Sequence, residues 1–186
     1  MPSPRALDPR IWLLAIGTFA VGTDAFVIAG ILPQLADAFG VGVEAAGLIV
    51  STYSLTYGVG TPLLAAFVAR WPRHRVVLAT LGAFAAVNVC CALAPGYGYL
   101  IVLKVAAGIC AAIYTPTAYA LAASATGPEK RGAALAAVAI GLSAASVFGV
   151  PLGTWVGHHA GWHATFWMIA AITLAGVLSL WRWGVP

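Results

Sequence analysis

Six apolar stretches follow one another through the 186 residues, and charge hardly interrupts them. A helix rises 1.5 Å per residue, so about 20 residues cross ~30 Å of hydrocarbon. The runs at 11–33, 46–69, 76–94, 99–122, 133–156 and 164–181 are of that length. A backbone in lipid must satisfy its own hydrogen bonds, so each run is expected to be a helix. A soluble domain carries about a quarter charged residues. Here 8% are charged, 62% are hydrophobic and the mean hydropathy is +0.97, so a water-soluble fold is excluded. The expected fold is an all-α integral membrane domain of six transmembrane helices, one unit over 1–186. Its first partner is the lipid bilayer.

The breaks between spans are "QLADAFGVGVE", "RWPRHR", "APGYG", "ATGPEKRG" and "GHHAGWH". Each is short and holds Gly, Pro or charge, as tight connections require. Arg5 and Arg10 precede span 1, Arg70, Arg73 and Arg75 follow span 2, Lys130 and Arg131 follow span 4, and Arg182 follows span 6. The alternate loops carry Asp37, Glu44 and histidines. The positive-inside rule then places both termini in the cytoplasm of a cell (inner or plasma) membrane. The net charge of +4 is thereby read as topology, with no nucleic-acid partner. Signal-peptide cores run about 7–15 residues, so the longer first run reads as an uncleaved span. Cys90, Cys91 and Cys110 have no metal-type spacing and read as small apolar fillers with free thiols.

Two ionisable residues lie inside spans, Asp24 in span 1 and Lys104 in span 4. A charge at the bilayer centre costs at least ~2.5–3.5 kcal/mol, so such residues face a cavity or a partner. Asp24 sits ~14 Å and Lys104 ~8 Å from the outer ends of their spans. The difference is within a lysine's reach if the two helices are neighbours. Gly108, Ala111, Thr115 and Tyr119 share the face of Lys104, small and sparsely polar, as a cavity wall would be. The face around Asp24 carries Gly17, Ala20, Val27, Ile28 and Ile31 and is apolar. Such a cavity suits a small lipophilic or amphipathic molecule. The plainer alternatives are a static ion pair locking two helices and, for Lys104, which lies nearer the interface, a side chain that snorkels outward.

Gly141, Ala145, Gly149, Gly153 and Gly157 recur every fourth residue in span 5, a stripe on which another helix can pack closely. Pro62, Pro116 and Pro151 each remove a backbone hydrogen bond within a span. "GLSA" at 141–144 superficially resembles the nucleophile site of an intramembrane serine protease, with His158, His159 or His163 as base. Ser143 and those histidines lie at opposite ends of span 5, ~20–25 Å apart, which argues against an enzyme. "HHAGWH" lacks a helical metal framework and reads as a solvated loop, so no metal is expected. No phosphate-binding glycine loop points to ATP.

Together these stretches resemble the N-terminal six-helix half of a major facilitator superfamily transporter. The nearest group is the drug/proton antiporters, which include sugar-efflux and chloramphenicol-resistance permeases. The resemblance rests on "GTDAFVIAGILPQLADAFGV", "GTPLLAAFVARWPRHRVVL", "KVAAGICAA", "GPEKRGAALA" and "GVPLGTWVGHHAGWHATFW", in that order. It implies one half of the major facilitator fold, a 3+3 inverted repeat, working by alternating access with the proton gradient as energy source and no cofactor. Asp24 matches the acidic position of helix 1 and implies proton coupling. Lys104 stands where the family usually has arginine. Arg70, Arg73 and Arg75 match the basic part of the 2–3 loop motif, implicated in gating. Gly149, Pro151 and Gly153 match the glycine–proline element of helix 5. The chain departs from the pattern at Ala25 (commonly glutamate), Ala69 (acidic), Pro72 (glycine) and Val150, which interrupts an adjacent Gly-Pro. Members have about twelve helices in two halves. Six spans thus imply a second copy, a separate C-terminal half, or a piece of a longer protein, with a non-transporting assembly partner as the alternative. A half by itself is expected to turn Asp24 toward lipid.

Overall fold

The computed structural model describes residues 7–186, so Arg5 lies outside the described residues. It is helical, with α1 (Pro9–Phe39), α2 (Val43–Val68), α3 (Arg73–Ala92), α4 (Tyr97–Ser124), α5 (Arg131–Ala144), α6 (Val150–Ala160) and α7 (Trp162–Trp183). A 3-10 turn at Pro128–Lys130 leads into α5, and a π turn at Ala145–Gly149 joins α5 to α6. These pieces make one rod over Pro128–Ala160, so seven α-helices give six rods.

The ends of α1 are set by local chemistry. The Asp8 carboxylate accepts the Arg10 backbone N–H at 2.9 Å, and Pro9 opens the first turn, where a missing N–H costs nothing. The helix runs through Pro33, past the expected end of span 1. A proline deletes one bond in a long helix without stopping it when neighbouring helices hold both sides. It stops at Gly40, whose φ of 63° turns the chain left-handed and lets its N–H cap the carbonyls of Ala36 and Asp37. Most of the expected first loop is therefore helix.

Among the described residues, five rods are long and apolar enough to cross a membrane; α2 falls short of that hydropathy although it has 26 residues. Ser51, Thr52, Ser54, Thr56 and Thr61 dilute it. Three of these hydroxyls turn onto the helix backbone, Ser51 to Gly47 O at 3.3 Å, Thr56 to Thr52 O at 2.8 Å and Thr61 to Tyr57 O at 2.6 Å. That satisfies each hydroxyl without a partner from outside.

α1 is the central helix, touching α2, α4, α5, α6 and α7, while α2 packs on α4 and α3 on both α4 and α7. Close approach of α1 to the fifth rod follows from the glycine stripe. Gly141 lies on the Ala15 carbonyl and Thr18 hydroxyl, Gly149 on Thr23, Gly153 on Val27 and Met168, and Gly157 on Ile31 and Thr165. Thr18 Oγ1 uses that proximity to donate to Val138 O at 2.8 Å across the interface. The π turn ends just before Pro151, whose missing N–H breaks the regular ladder and leaves the preceding turn to widen.

Candidate functional site

Lys104 Nζ donates to Asp24 Oδ1 at 2.5 Å, and neither side chain is exposed at all. The pair is thus buried by this chain's own helices. The expectation that a half turns Asp24 toward lipid is corrected: packing of α2, α4 and α7 around α1 encloses it. The second carboxylate oxygen, Oδ2, is equally buried and has no hydrogen-bond partner. An ionised carboxylate can only accept, so Oδ2 is the atom open to a proton or a donor.

Aromatic faces complete the surroundings of the ammonium. Nζ stands 4.6 Å from the Phe166 ring centroid and 5.8 Å from that of Tyr53. Tyr53 is anchored by its hydroxyl, which donates to Val21 O at 3.4 Å, and its ring stacks parallel to that of Tyr57, centroids 6.3 Å apart. The Lys104 face of α4 is occupied near the pair: Gly108 packs against Thr56 and Tyr53, and Ala111 is fully buried. Farther along, Thr115 is buried with an unpartnered hydroxyl and Tyr119 is half-buried. On α1, Val27, Ile28 and Ile31 belong to the core.

An open groove lies on the other flank of α1. It has a volume of about 370 Å³ and runs between α1, α2 and α5, with Ala25, Phe26, Tyr53, Ser54, Tyr57 and Leu142 among its walls. Tyr53 is shared, one part against Lys104 and another lining the groove. The i, i+4 spacing of Tyr53 and Tyr57 is the sequence signal that marks this wall. Phe166 gave no such signal, since only the packing of α7 brings its ring to Lys104.

The basic residues gather at one end of the bundle. Arg70, Arg73 and Arg75 are exposed, and Arg73 Nη1 donates to Ala120 O at 3.1 Å, tying the start of α3 to the end of α4. Arg73 and Arg131 line a common cavity. Ser143 and the histidines stay apart: Ser143 lies in α5, while His158 and His159 end α6, ~22 Å along the same rod. His158 Nδ1 pairs with Gln34 Nε2 at 2.8 Å, His159 Nδ1 with Trp155 O at 2.9 Å and His163 Nδ1 with Ala92 O at 2.7 Å.

Residues 14–186 match the Major Facilitator Superfamily. The chain is 36% identical over 171 residues to YbcL, an uncharacterized MFS-type transporter of Bacillus subtilis, covering 92% of this chain and 43% of that protein. It is 37% identical over 170 residues to a chloramphenicol resistance protein of Streptomyces lividans, covering 91% and 43% respectively. Among solved structures, a bacterial homolog of the human lysosomal transporter Spinster, inward-facing and unoccupied, superposes with a TM-score of 0.82 at 18% identity. That match covers 97% of this chain and 43% of the Spinster homolog. The chain therefore spans less than half the length of these relatives and has the fold of one six-helix half. Buried charge in an otherwise apolar bundle, the fold and the sequence match converge: this chain belongs to the Major Facilitator Superfamily.

Proposed function

We propose that the chain is one half of a proton-coupled efflux transporter for a small lipophilic or amphipathic molecule, working by alternating access. The observation that carries this reading is Asp24, a buried carboxyl with one oxygen on Lys104 and the other unpartnered. Burial favours a protonated carboxyl and a neighbouring ammonium favours an ionised one, so a change in their separation changes proton affinity. A proton entering from outside at Asp24 and leaving inside would drive the substrate outward. The apolar, tyrosine-lined groove supports a lipophilic substrate, and the chloramphenicol resistance relative supports efflux of a drug-like one.

The basic end of the bundle supports cytoplasmic termini in the cell membrane. The bond from Arg73 to Ala120 O supports a gating role for the Arg70, Arg73 and Arg75 loop, because it links two helices at that end. The second half is supplied by another copy, by a separate C-terminal half or by the rest of a longer chain, supported by the share of each relative that this chain covers. Native mass spectrometry in nanodiscs identifies the first case, since a homodimer has twice the 19.0 kDa chain mass.

The test of coupling is chloramphenicol movement in proteoliposomes with an imposed pH gradient. Wild type is expected to follow the gradient and Asp24→Asn to fall to the level of empty vesicles. Asparagine keeps an oxygen for Lys104 but cannot exchange a proton, so transport indifferent to both gradient and substitution would sink the proposal. The closed geometry of the ion pair favours one second reading, a fixed strut between α1 and α4. A strut predicts altered stability in Asp24→Asn with transport retained.

A further inference from the structure

We propose that Phe166 is a positioning residue for proton exchange: its ring face holds the Lys104 ammonium when Asp24 is protonated, so that the carboxyl alone exchanges the proton. This inference rests on the reading of Asp24 as the proton site. Lys104 has three N–H donors and one hydrogen-bond acceptor, Asp24 Oδ1. Its ammonium otherwise lies against the face of Phe166 at 4.6 Å and, farther off, Tyr53 at 5.8 Å. Both rings are buried, so their attraction for the cation is little screened by water.

Two charge states matter. While Asp24 is ionised, the carboxylate is the dominant partner and the rings add little. Once a proton joins Oδ2, the carboxylate charge is gone and an ammonium in an apolar core must shed its proton or find another stabiliser. The negative face of a ring is such a stabiliser and has no proton to exchange. Phe166 is placed rigidly for that task. Its ring meets Trp162 edge-on, centroids 6.0 Å apart, and the preceding Thr165 donates to Gly153 O at 2.9 Å, fixing α7 against α6.

Other ionisable groups do not substitute for the ring. Tyr53 of α2 is within electrostatic reach of Asp24, Cys91 of α3 is within reach of both Asp24 and Lys104, and Tyr57 of α2 and Cys110 of α4 are within reach of Tyr53. All four are neutral when protonated and offer the cation no counter-charge. On α7 the nearest such group is His163, committed to Ala92 O at the helix start. α5 and α6 carry ionisable side chains only at their far ends, at Arg131, His158 and His159.

Infrared difference spectroscopy on the purified full chain in lipid vesicles tests this without a substrate. The carboxyl band that Asp24→Asn removes reports protonation of Asp24. Removing the ring destabilises the protonated-carboxyl state more than the paired state, so the carboxyl takes up its proton at lower pH. Phe166→Leu and Phe166→Met should each move the pH profile of that band toward acid by roughly half to one pH unit. Phe166→Tyr, which retains a ring face, should restore the wild-type profile. Methionine covers the case in which the leucine variant misfolds, because it fills similar volume with a flexible chain. Wild-type profiles in Leu and Met variants, or a shift shared by Tyr, would overturn the assignment to Phe166. Absence of any band lost in Asp24→Asn would instead overturn the proton-site reading beneath it.

Discussion

Lys104→Met alone should cost roughly 3–5 kcal/mol of stability, and adding Asp24→Asn should return most of it. The single substitution leaves an ionised carboxylate enclosed by α2, α4 and α7 with no cation and no exposure to solvent. The double substitution removes both charges and keeps side chains of similar size, and a buried pair replaced as a unit is often close to neutral. The single-variant penalty should also shrink as pH falls, because a protonated carboxyl needs no counter-ion. Unfolding in mixed micelles at two pH values reads both effects. Additive losses would mean that the two residues do not act as a pair, contrary to the 2.5 Å contact.

Gly141→Ala should have the next largest effect, a loss of about 1–3 kcal/mol. A methyl group there falls on the Ala15 carbonyl and the Thr18 hydroxyl. A backbone carbonyl cannot swing aside, so α1 and α5 must separate, and the bond from Thr18 to Val138 O is lost with the contact. Gly82→Ala in α3 is the internal control, because a Cβ there meets nothing within 4 Å. It should be neutral or raise stability by up to ~1 kcal/mol through helix propensity. Melting temperatures measured side by side in one detergent decide the matter, and equal values for the two variants would contradict the close-packing account.

The four-residue period of the small residues in span 5 was legible, because helical phase puts Gly141, Gly149, Gly153 and Gly157 on one face whatever else the chain does. Their partner was not, since nothing in span 5 says which helix will lie on it. Packing decided for α1, at Ala15, Thr23, Val27 and Ile31. Ends of helices were read less well. Pro33 and the polar run after it looked like a loop, but the neighbours of α1 carry the helix on to the left-handed turn at Gly40.

The site divides in the same way. Sequence alone singled out Asp24 and Lys104, because charge is expensive in an apolar span wherever the span sits. It also set the count of six rods and the clustering of Arg70, Arg73, Arg75 and Arg131 at one end, since both follow from distance along the chain. Only the tertiary structure decided that the two charges meet at 2.5 Å, that this half encloses them, and that Phe166 and Tyr53 flank the ammonium. Those contacts join α1, α2, α4 and α7, separated in sequence by whole helices. Local periodicity fixes the face a residue occupies on its own helix, whereas contact between helices depends on how all six rods pack at once.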